Sequence, residues 1–128
     1  MKKKILIVIA NYYENIARSL LNSAKNKIKD KYSVQVIYVP GAFEIPVTIS
    51  KNLNTFNGFI ALGCVIKGQT PHFDFISKAT TDALMTLSLT SKKPVGNGVI
   101  TCLNKKQAIA REKKGSEAAE AVLSVLSQ

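Results

Sequence analysis

The chain has 128 residues, a length that suits a single domain, 1–128, built around one core. Sixteen lysines and two arginines against eight acids give a net charge of +10. Yet the lysines are scattered and no basic stripe is interleaved with stacking aromatics, so a solvated surface that attracts anionic small molecules is read here in preference to a nucleic-acid groove. No apolar run approaches the ~20 residues of a membrane span. One histidine and two isolated cysteines, Cys64 and Cys102, offer no cluster with zinc-ligand spacing, and both cysteines are expected as buried free thiols.

In chain order, MKKKILIVIA opens like a signal peptide, but its apolar run is short and ends in Asn-Tyr-Tyr without a cleavage site. It reads as a first strand, 4–10, of a cytoplasmic protein. Residues 13–29 carry Ile16, Leu20, Ala24 and Ile28 at steps of four and predict a helix. A second strand follows at 33–39. Pro40-Gly41 suits a type II turn, after which 43–54 predicts a helix with Pro46 in its first turn. A third strand, 58–66, leads into Gly63-Cys-Val-Ile-Lys-Gly-Gln-Thr-Pro-His-Phe-Asp74. A helix at 71–91, with Ile76, Thr80, Ala83 and Leu87 on one face, precedes a fourth strand at 94–101. Two helices, 104–113 and 116–127, close the chain, with Gly115 as the stop between them.

Strands alternating with helices predict an α/β fold, a parallel four-stranded sheet covered on both faces as a three-layer α/β/α sandwich. In such sheets ligands bind beyond the carboxyl ends of the strands. Four segments fall there: ANYYEN, PGAFEIP, KGQTPHFD and 101–104.

Gly63 and Gly68 have the spacing of a P-loop, but Gln69 stands where its lysine would be, which leaves triphosphate binding poorly supported. Thr70 is a good N-cap and Pro71 suits the first helical position. The free N–H groups there form an anion site fit for one phosphate. His72, on the first turn beside it, is either a packed helix-start histidine or a general acid/base. Glu44 either complements a helix dipole or binds a polyol. Tyr12 either packs or stacks on a flat ring. Arg111 is either a surface residue or a phosphate clamp.

VPGAFEIP, ALGCVIKGQTPHFDFI, GVIT and QAIAR followed by GSEAA, in this order and spacing, closely resemble the lumazine synthases of riboflavin biosynthesis from about Ile5 to the C-terminus. The resemblance implies a flavodoxin-like fold and condensation of 5-amino-6-(D-ribitylamino)uracil with 3,4-dihydroxy-2-butanone 4-phosphate, without cofactor or metal. It implies that Tyr12 stacks on the pyrimidine and that Ala42, Phe43 and Glu44 hold the ribityl chain. Val65, Ile66 and Lys67 lie at the uracil edge. Gly68, Gln69 and Thr70 line the phosphate with Arg111 of a neighbouring subunit, and His72 transfers protons. Asn97 stands where many members place a phenylalanine contributed to a neighbour's ring pocket, and the Arg111–Gly115 segment is shorter than in many relatives. The family's sites lie between subunits of a pentamer. The expectation is a homopentamer in preference to a 60-subunit shell, with no nucleic-acid or membrane partner. A non-catalytic lumazine or flavin carrier of the same fold is the alternative; His72, Arg111 and the phosphate loop, all present, speak against it.

Overall fold

A computed structural model describes residues 2–69 and 71–128. Its four strands are β1 (Lys3–Ala10), β2 (Tyr32–Val39), β3 (Gly58–Ile66) and β4 (Val95–Cys102). All pair in parallel in the order β2-β1-β3-β4. The five α-helices among the described residues are α1 (Glu14–Lys27), α2 (Ile45–Lys51), α3 (His72–Ser91), α4 (Lys105–Ala110) and α5 (Lys114–Leu126). A short 3-10 turn, Ala42–Glu44, precedes α2.

The period of two in the strands explains the three layers, because successive side chains leave opposite faces of the sheet. Ile5, Ile7 and Ile9 of β1, with Ile60, Leu62 and Cys64 of β3, form one core with Leu20 and Ala24 of α1 and Ala119 and Val122 of α5. The intervening residues Leu6, Val8 and Ala10, with Phe59 and Ala61, form the other with Ile45 and Ile49 of α2 and Leu84 of α3. With both faces covered, β1 from Ile5 onward and β3 are apolar on both sides, as expected of central strands. This is the flavodoxin-like α/β/α sandwich.

Several boundaries differ from the expectation. Gly115 does not end a helix; it is buried in the first turn of α5. A Cβ there would lie 2.2 Å from the Leu20 carbonyl oxygen, so the glycine is required by the approach of α5 to α1 and not by a left-handed cap. Gly41 is extended, with φ −148° and ψ 172°, which rules out the type II turn. Its missing side chain leaves room for the Glu44 carboxylate, whose Oε1 would be 3.2 Å from a Cβ. The helix expected over 43–54 is instead the 3-10 turn plus a shorter α2, with Pro46 in its first turn as anticipated. In α3, Pro71 occupies the cap position and His72 is the first helical residue. Thr70, the expected cap, lies outside the described residues.

Candidate active site

The strand order reverses between β1 and β3: β2 lies beyond β1 on one side and β4 beyond β3 on the other. Such a switch point leaves a crevice at the carboxyl edge, because the connections leave in opposite directions. Two backbone bonds fix the rim. Asn11 N–H donates to the Val39 carbonyl at 3.1 Å, and Lys67 N–H donates to the Cys102 carbonyl at 2.9 Å.

Tyr12 follows β1 and is 74% exposed, which excludes a core-packing role. Its ring meets Tyr13 edge to face, with centroids 4.9 Å apart at 80°. Tyr13 is half-buried against the α1 core, and burial, with Tyr12 and Cys64 nearby, pushes its phenol up. On the opposite face of the sheet, Ala42 is buried in the cluster that holds Ala10, Val39 and Ala61, onto which Val65 and Ile76 pack. That cluster joins the PGAFE turn to the end of β3. Phe43 is exposed, and Glu44 is half-buried above Gly41.

Val65 and Ile66 are half-buried where β3 leaves the sheet, and Lys67, Gly68 and Gln69 are exposed beyond it. A Cβ at Gly68 would meet nothing within 4 Å, so local packing does not require a glycine there. His72 is exposed at the N-terminus of α3, where backbone N–H groups lack helical partners and favour an anion.

Beneath the rim lie the two free thiols, both buried. Burial, together with the Cys102 thiol hydrogen-bonded beside it, pushes Cys64 up to about 12. Among the described residues no group of three or more His, Cys, Asp or Glu could hold a metal ion.

Asn97 and Arg111 are not brought into this group. The Phe59 N–H donates to the Pro94 carbonyl and the Lys67 N–H to the Cys102 carbonyl. Even-numbered residues of β4 therefore turn their backbone toward β3, and odd-numbered ones face the open edge. On that edge Val99 N–H donates to Asn97 Oδ1 at 3.0 Å, and the Thr101 carbonyl accepts from Arg111 Nη1 at 3.0 Å. This edge is two strands, or about 10 Å, from β1. A groove of about 480 Å³ runs along it, lined by Val99, Thr101, Arg111, Lys113, Lys114 and Glu117 among others. Three cations against one acid suit it to an anion.

Two further features escaped the sequence reading. A cavity of about 550 Å³ is lined by Tyr12, Tyr13, Lys105 and Ile109 among others, but by none of 42–44 or 65–69. Asn104 and Gln107 form a reciprocal cap at the start of α4; its N-x-x-Q spacing was a legible signal.

A family model described as 6,7-dimethyl-8-ribityllumazine synthase matches residues 2–128. The chain is 40% identical over 138 residues to the 6,7-dimethyl-8-ribityllumazine synthase of Agrobacterium fabrum, covering 98% of this chain and 93% of that one. It is 41% identical over 137 residues to the enzyme of the same name from Bartonella tribocorum, covering 98% and 91%. With that of Cutibacterium acnes the identity is 35% over 132 residues, covering 96% and 80%.

Proposed function

The chain belongs to the 6,7-dimethyl-8-ribityllumazine synthase family, and from that premise we propose how its residues divide the reaction. The enzyme condenses 5-amino-6-(D-ribitylamino)uracil with 3,4-dihydroxy-2-butanone 4-phosphate, giving 6,7-dimethyl-8-ribityllumazine, phosphate and water. The family match over residues 2–128 carries this conclusion, and the non-catalytic alternative is not favoured.

In our reading the exposed ring of Tyr12 stacks on the pyrimidine while the backbone at Val65, Ile66 and Lys67 meets its polar edge. Ala42, Phe43 and Glu44 hold the ribityl chain, a role supported by the half-buried carboxylate above the open backbone of Gly41. Gly68, Gln69 and Thr70, which precede α3 in the sequence, hold the phosphate. The primary 5-amino group attacks the ketone and loses water to form an imine, phosphate leaves by β-elimination, and the ribitylamino nitrogen closes the ring on the remaining carbonyl with loss of a second water. Each step moves a proton, and we assign its transfer to His72, a reading supported by its position as the first residue of α3, two residues after the anion loop. Holding two flexible substrates together supplies much of the acceleration.

Arg111 and Asn97 act, in this proposal, on the site of a neighbouring copy. Their position on the outward edge of β4 supports this, as does the exposure of Phe75, Met85 and Leu89 on α3. Of the twenty residues of α3 only Thr80 and Leu84 are buried, an arrangement that leaves apolar surface for another subunit. We take the assembly to be a cytoplasmic homopentamer of five 13.9 kDa chains, in preference to a 60-subunit shell. Sedimentation separates the readings: a monomer overturns the shared site, and a megadalton particle overturns the free pentamer. The catalytic reading is tested by mixing protein with both substrates and following lumazine absorbance and phosphate release; a rate no greater than the spontaneous one refutes it.

A further inference from the structure

The corner between β4 and α5 holds a short helix that its composition does not explain. α4 has six residues, well below the ~12–15 at which a helix persists alone in water. Only Ala108 in it is buried, its first turn carries no acid, and Lys105 and Lys106 oppose the helix dipole. What offsets these costs is a reciprocal pair of hydrogen bonds. Gln107 N–H donates to Asn104 Oδ1 at 2.9 Å, and Leu103 N–H donates back to Gln107 Oε1 at 2.8 Å. The return bond reaches one residue before the usual capping-box partner, and so pins the strand exit as well as the helix start.

This corner anchors both elements that the chain offers to a phosphate, Arg111 for the neighbouring copy's site and the anion loop for its own. Arg111, the residue after α4, donates its N–H to the Ala108 carbonyl at 3.1 Å and Nη1 to the Thr101 carbonyl at 3.0 Å. On the other side, the Cys102 carbonyl, next to Leu103, accepts from Lys67 N–H at the start of the anion loop. Without the Gln107 bond the first turn of α4 frays and the backbone that aims Arg111 loses its anchor.

We propose that Gln107, seconded by Asn104, is a positioning residue that aims Arg111 at the substrate phosphate. This rests on the assignment of Arg111 as a phosphate ligand, and the test separates the two. Steady-state kinetics are measured on the full chain with 3,4-dihydroxy-2-butanone 4-phosphate as the varied substrate. Arg111→Ala raises KM for it. Gln107→Ala raises the same KM about fivefold, the scale of a lost helix cap, with kcat within about twofold. Gln107→Glu, which keeps an acceptor for Leu103 N–H, restores it. In the Arg111→Ala background Gln107→Ala adds nothing. Asn104→Ala, with its own Arg111→Ala double variant, repeats the pattern should Gln107→Ala fail to assemble. An unchanged KM in Arg111→Ala overturns the phosphate assignment. A defective Arg111→Ala beside an unaffected Gln107→Ala, or a Gln107→Ala effect that persists undiminished in the double variant, overturns the positioning role.

Discussion

Substituting Gly115 by alanine tests whether the contact between α1 and α5 dictates the C-terminal architecture. The new Cβ would stand 2.2 Å from the Leu20 carbonyl oxygen, 3.0 Å from its carbon and 3.3 Å from the Ala24 nitrogen. Carbon–oxygen contacts in proteins settle at about 3.3–3.6 Å, so the helices must part by roughly 1 Å. These are backbone atoms of a helix and cannot rotate aside. The nearby bond from Ser116 N–H to Ser23 Oγ, 2.8 Å long, would stretch beyond hydrogen-bonding range. Overpacking costs about 1–3 kcal/mol and the lost hydrogen bond about 1 kcal/mol. The better helix propensity of alanine returns up to about 1 kcal/mol. The expected net loss is about 1–3 kcal/mol, a fall in Tm of roughly 4–12 °C at this chain length. Thermal melts followed by circular dichroism at a fixed protomer concentration measure it, since assembly makes Tm concentration-dependent. Gly68→Ala is the internal control: its Cβ meets nothing within 4 Å, and its Tm should stay within about 2 °C. A Gly115→Ala protein as stable as the parent refutes the packing explanation.

His72→Ala should lower kcat by at least about tenfold without abolishing turnover, because substrate positioning survives the loss of the imidazole; an unchanged kcat removes His72 from the mechanism. Lys93, half-buried, donates Nζ to the carbonyls of Leu53 and Phe56, the latter at 2.8 Å, and ties the start of β4 to the α2–β3 loop. Lys93→Met leaves both carbonyls without this donor and should destabilise the fold by about 1–3 kcal/mol in urea unfolding, whereas a neutral result would show that solvent replaces the ammonium. The Cys64 thiol, held up to about 12 by burial and Cys102, stays protonated in the native state. The unfolded chain releases that proton near its ordinary value of about 9 and so gains stability as pH rises. The contribution of Cys64 is therefore fully present below pH 9 and is lost between pH 9 and about 12. At pH 8 a thiol reagent should leave the native protein unlabelled while the denatured chain reacts at both cysteines; rapid native labelling would contradict the burial.

The sequence by itself determined the sheet and its polarity. Runs such as KILIVIA and GFIALGCVI alternate faces at period two while remaining apolar on both, and only a central strand between two helical layers accommodates that. The same local logic located the end of β3 at Ile66 and the start of α3 within one residue, because strand ends and helix starts are written in adjacent residues. Glycine was read less well. Its freedom at Gly41 and its breaking of helices at Gly115 are generic properties, while the reason for each lay in a partner distant in sequence or in a side chain folded back over it: Leu20 for Gly115, Glu44 for Gly41. The tertiary structure alone decided which cations share a surface. Arg111 and Asn97 sit on the open edge of β4, about 10 Å from Tyr12's strand, because strand order and hydrogen-bond parity, neither of them a local property, turn the odd-numbered residues outward.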